Sequence, residues 1–68
     1  MSFGEQLSAV RRRSGLTQEQ FAEQLQVSRQ AVSKWETDAA APDMENLLAL
    51  AREFGVSVAE LTATPEEE

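Results

Sequence analysis

The chain has 68 residues, room for one domain, and contains neither cysteine nor histidine, which excludes a disulfide framework, a thiolate metal centre and the histidine general base. No apolar run approaches the roughly 20 residues of a membrane span, and no basic-then-apolar leader opens the chain, so a cytoplasmic protein without a membrane partner is expected. The net charge of −6 lies wholly in residues 39–68, because residues 1–38 carry five basic and five acidic groups; the N-terminal part is free to present a locally basic face although the whole is acidic.

Helix signals are dense and strand signals absent. Ser2 and Glu5 stand at capping-box spacing, Phe3, Leu7 and Val10 recur at helical spacing, and Gly15 stops this first helix. Thr17 and Gln20 repeat the capping box at once, with Leu16 and Phe21 placed as a hydrophobic staple. The second helix carries its apolar face on Phe21, Ala22 and Leu25 and ends near Leu25. Ser28 caps a third helix, stapled by Val27 and Val32. At about 100° per residue, Ala31, Val32 and Trp35 fall on one side of it, and Arg29, Gln30, Ser33, Lys34 and Thr37 on the other.

After a loop over residues 37–42, Asp43 caps a fourth helix with the stripe Leu47, Leu50, Ala51 and Phe54, stopped by Gly55. Ser57 and Glu60 cap a short fifth helix over residues 58–62, stapled by Val56 and Leu61. Residues 63–68 hold one proline and three glutamates without an apolar anchor and are expected to be disordered. The expected fold class is all-α: a compact five-helix domain over residues 3–62, with one core serving all five helices, followed by an acidic tail.

Only Gln26, Val27 and Ser28 separate the second helix from the third. Two helices joined by so short a turn form a helix-turn-helix, whose second helix can enter the major groove of DNA. That helix needs a polar outer face to reach base edges and an apolar inner face to fix its angle. Arg29, Gln30, Ser33 and Lys34 supply the first; Val32 and Trp35 supply the second.

The segment Leu16–Glu36, LTQEQFAEQLQVSRQAVSKWE, followed by Pro42 and then ENLLALAREFGVS, resembles the Cro and lambda-type repressor family, also called XRE-like. The resemblance covers roughly residues 3–62 and implies a lambda repressor-like, bacterial or phage-encoded regulator that needs no cofactor and no metal. It implies sequence-specific binding of double-stranded DNA, usually to repress transcription, by a homodimer on a palindromic operator. It places Arg29, Gln30, Ser33 and Lys34 against bases, and Gln18, with Thr17, Ser28 and Thr37, against the DNA backbone. It also pairs Glu36 with Arg11 as a structural ion pair. The chemistry suits these roles: Arg and Lys donate to guanine O6 and N7, Gln bonds adenine bidentately, and amides at a helix start hold a phosphate.

The chain departs from the family pattern in three ways. Gln26 stands where glycine is common in the turn and is expected to take a left-handed conformation at about 1 kcal/mol. Asp38 stands where the following loop often has glycine. Ala39, Ala40 and Ala41 stand where that loop commonly carries basic residues for phosphates.

Several residues have blander readings. Arg12 and Arg13 are expected to face solvent, and Trp35 to pack in the core rather than stack on a base. Met44 and Leu48, one turn apart beside the main stripe of the fourth helix, are either core edge or part of a dimer contact. A protein-interaction module of antitoxin-like or polymerase-binding type is the alternative function, favoured by the acidic C-terminal half and disfavoured by the polar outer face of the third helix. No carboxylate pairs with a nucleophile or a cleft-forming pattern, so no enzyme is expected.

Overall fold

A computed structural model describes residues 2–57, 59 and 61. Its elements are α1 (Phe3–Arg13), α2 (Gln18–Leu25), α3 (Arg29–Glu36) and α4 (Met44–Phe54), with no strand among the described residues. Among the described residues the structure is all-helical, as expected, with four helices where five are expected. Of the expected fifth helix only Ala59 and Leu61 are described. Both are helical, and the Leu61 amide donates to the Ser57 carbonyl at 3.2 Å, closing one turn. The expected tail over residues 63–68 lies outside the described residues.

Each helix starts at the side chain the sequence offers for it. In α1 the Glu5 amide donates to Ser2 Oγ while the Ser2 amide donates to Glu5 Oε1. Thr17 and Gln20 make the same reciprocal pair at the start of α2. Ser28 Oγ accepts from Ala31 N, and Asp43 Oδ1 accepts from Asn46 N. These bonds satisfy amides that the helix itself leaves without a partner. Gly15 and Gly55 take φ of +72° and +68° just past α1 and at the end of α4, where a Cβ would be strained.

The four apolar faces close on one core. Leu7, Phe21, Val32, Leu50 and Leu61 are fully enclosed. Phe21 and Phe54 stack with ring centroids 4.6 Å apart, tying α2 to α4. Trp35 is buried with Val32, so the inner face of α3 is anchored in the core. α3 packs against both α2 and α1, and this sandwiching fixes its angle to the rest of the domain. No helix among the described residues is long and apolar enough to cross a membrane.

Candidate nucleic-acid interface

The turn between α2 and α3 is held by backbone bonds. Gln26 takes φ +61° and ψ +43°, the left-handed conformation its position demands. The next amide, Val27 N, donates to Ala22 O at 2.9 Å, which closes the end of α2 and releases the chain into α3.

Beyond that turn, α3 has two distinct sides. Val32 and Trp35 face the core, whereas Arg29, Gln30 and Lys34 are exposed and Ser33 is half-buried. The four side chains expected to touch bases therefore share one outward face. Thr17 and Ser28 are exposed at the caps of α2 and α3. Each oxygen accepts a backbone amide, which leaves the hydroxyl proton free to donate. Thr37 differs. Its Oγ1 donates to the carbonyls of Ser33 and Lys34 at 3.1 and 3.2 Å, and its amide bonds Ser33 O, so in this conformation it has no donor left for a phosphate.

Beneath the outward face lies a half-buried polar knot. Arg11 Nε donates to Glu36 Oε2 at 2.6 Å and Nη2 to Glu36 Oε1 at 3.2 Å; the two side chains are 15% and 7% exposed. This is a bidentate Arg–carboxylate pair, the strong form of the interaction. Arg11 Nη1 also donates to Leu16 O at 2.9 Å, so it grips the loop before α2. Gln18 Nε2 donates to Glu36 Oε1 at 3.0 Å. Glu36 thus joins α1, the first residue of α2 and the last of α3. The bond from Gln18 was not anticipated from sequence: it orients the carboxamide by one N–H and leaves the other N–H and the carbonyl oxygen uncommitted.

A second junction lies nearby and also escaped sequence reasoning. The amide of Gly4 donates to Asp38 Oδ1 at 2.9 Å. A Cβ on Gly4 would run into the Glu36 carbonyl and come within 2.7 Å of the Trp35 carbonyl, so the start of α1 lies directly on the end of α3. The signal was a glycine inside a helical pattern, which usually has a packing reason. Asp38 takes φ +64° there, and Ala39 N and Ala40 N donate to Lys34 O, which finishes α3.

Around the interface the charge is mixed. Arg12 and Arg13 are exposed at the end of α1. An open groove of about 350 Å³ between α2 and the start of α3 is lined by Glu19, Ala22, Glu23, Val27 and Arg29, which sets two carboxylates beside one guanidinium. Ala39, Ala40 and Ala41 are exposed and offer no cation. No group of three or more Asp and Glu suited to a metal ion gathers among the described residues.

The family model described as "Helix-turn-helix" matches residues 7–61. The chain belongs to this helix-turn-helix family, of the Cro and lambda repressor type. The family is one of DNA-binding transcription regulators, not of enzymes. The chain is 47% identical over 66 residues to the HTH-type transcriptional activator BcrR of Enterococcus faecalis, covering 97% of this chain and 32% of BcrR. It is 37% identical over 57 residues to the HTH-type transcriptional regulator ImmR of Bacillus subtilis, covering 84% of this chain and 45% of ImmR. The chain therefore spans less than half the length of either relative.

Among solved structures, the P22 c2 repressor in complex with a synthetic operator superposes with a TM-score of 0.88 at 32% identity, covering 93% of this chain and 96% of that one. A transcriptional regulator from Listeria innocua superposes at 0.85 with 34% identity, covering 98% and 63%. A fold shared at this level with a repressor–operator complex gives the two-sided α3 its context.

Proposed function

We propose that this domain binds double-stranded DNA sequence-specifically as a cytoplasmic transcription regulator, with α3 in the major groove. The observation that carries the reading is the division of α3: Val32 and Trp35 are locked in the core, while Arg29, Gln30, Ser33 and Lys34 share the outward face. Arg29 and Lys34 suit guanine, and Gln30 suits adenine. Gln18, oriented by Glu36, and the hydroxyls of Thr17 and Ser28 are the backbone contacts, and they fix the register of α3 without reading sequence. Thr37 joins them only if its hydroxyl turns away from the α3 carbonyls.

One recognition helix reads too few base pairs for a useful site. The operator is therefore a palindrome bound by a homodimer, with half-sites about 34 Å apart. Repression is carried over from the family resemblance alone, since no residue here encodes it and the relative BcrR is an activator. Within that resemblance, the likeness to the P22 c2 repressor, solved with its operator, supports repression.

Selection from a random duplex library, followed by sequencing, tests the reading. The parent enriches a palindrome, and the Arg29→Ala/Gln30→Ala double variant loses it, each missing contact costing about 1–3 kcal/mol at its base pair. No enrichment and no salt-dependent retention by the parent would instead favour a protein-binding module, the role that the exposed Ala39–Ala41 loop and the acidic C-terminal half suit better.

A further inference from the structure

Met44 and Leu48 are 63% and 49% exposed, the large apolar side chains that the fold leaves in solvent among the described residues. They stand one turn apart on α4, whose Leu47 and Leu50 are in the core. Arg52 lies one further turn along, and Glu45 sits beside the row. Both are exposed, and neither makes an ion pair among the described residues.

We propose that this face is a dimer surface on which a second copy of the chain packs its α4 antiparallel, about a two-fold axis passing beside Leu48. The proposal deepens the DNA-binding reading, which requires a two-fold protein for a two-fold site.

The charge pattern fits this occupant. A two-fold axis perpendicular to antiparallel helices reverses direction along the helix and preserves the flank. At 100° and 1.5 Å per residue, with Leu48 as origin, Glu45 lies about 60° round one flank and about 4.5 Å towards the N-terminus. Arg52 lies about 40° round the same flank and about 6 Å towards the C-terminus. The operation brings Glu45 level with the partner's Arg52 to within about 1.5 Å. On the opposite flank, Met44 and half-buried Ala51 are related in the same way. Met44 therefore meets the partner's Ala51, whose single methyl leaves room for it, while Leu48 meets the partner's Leu48 on the axis. Every match occurs twice, as an isologous interface demands. A shift of one turn breaks them all.

One helix pair buries less than the roughly 1,000 Å² of a stable interface. The dimer is accordingly weak in solution and is completed on DNA, where two half-sites hold the copies together.

Sedimentation equilibrium of the 68-residue chain, to about 1 mM, tests the proposal. The parent self-associates, and Leu48→Glu is monomeric throughout. Glu45→Arg and Arg52→Glu each weaken association about tenfold, and the two reversals together restore it to within about threefold of the parent. These positions are exposed, and far-UV circular dichroism checks that each variant is folded. A monomeric parent, undiminished association of Leu48→Glu, or a double reversal as weak as the singles would overturn the proposal. A duplex with a single half-site separates this from the DNA reading. Leu48→Glu retains parental affinity for it, whereas a parent that binds no duplex removes the DNA reading and leaves the association result standing.

Discussion

Glu36 is the residue on which most of the interface depends, because Arg11 of α1, through two bonds, and Gln18 of α2 meet at its carboxylate at the end of α3. Arg11→Ala strips the charge partner from a carboxylate that is 7% exposed. Unfolding in urea should show a loss of about 2–4 kcal/mol, since an uncompensated half-buried charge costs more than the pair contributes. Glu36→Gln should cost less, because its carboxamide oxygen still accepts from Arg11. Two residues with positive φ make a contrasting pair. Gln26→Gly should raise stability by about 1 kcal/mol, since only the left-handed backbone is at stake. Asp38→Gly should gain nothing in the same melt: relief of strain is offset by loss of the hydrogen bond to Gly4 N. A gain at both positions would show that the Asp38 bond contributes little.

At the scale of elements, what was legible in the sequence was what is local. Ser2, Thr17, Ser28 and Asp43 each cap within three residues of themselves, so their helix starts could be read from spacing alone. The outward face of α3 was legible for the same reason, since helical phase separates Arg29 and Gln30 from Val32 and Trp35. The Arg11–Glu36 pairing came from family resemblance, because 25 residues separate its members and no periodicity links them. The Gln18–Glu36 bond and the Gly4–Asp38 junction were not read, since both depend on how α1 and α2 meet the end of α3. Gly4 supplies a test of that meeting. Alanine is ordinarily better than glycine in a helix by up to about 1 kcal/mol. Here Gly4→Ala should instead destabilise by about 1–3 kcal/mol in thermal or urea melts, because its Cβ would strike the backbone of α3. A stabilised variant would mean that α1 does not lie on the end of α3.

For the whole molecule, the net charge of −6 opposes DNA, and the basic groups available to offset it are few. Arg11 is tied to Glu36, which leaves Arg12, Arg13, Arg29 and Lys34 in the first 38 residues. If all four met phosphates, counterion release would give a slope of log affinity against log salt of about −3.6 per protomer. Binding titrations across salt should therefore show a slope no steeper than about −4 per protomer. A steeper slope would mean that cations outside this set carry the contact. The central claim is that the outward face of α3 is the surface that meets DNA. The most direct test is a titration of the isotope-labelled chain with a short duplex, following backbone amide resonances. Shifts should concentrate on residues 28–34 and on Thr17 and Gln18, leaving the exposed face of α4 unmoved at single half-site stoichiometry. Shifts that avoid α3 and gather on α4 or on the start of α1 would contradict the account.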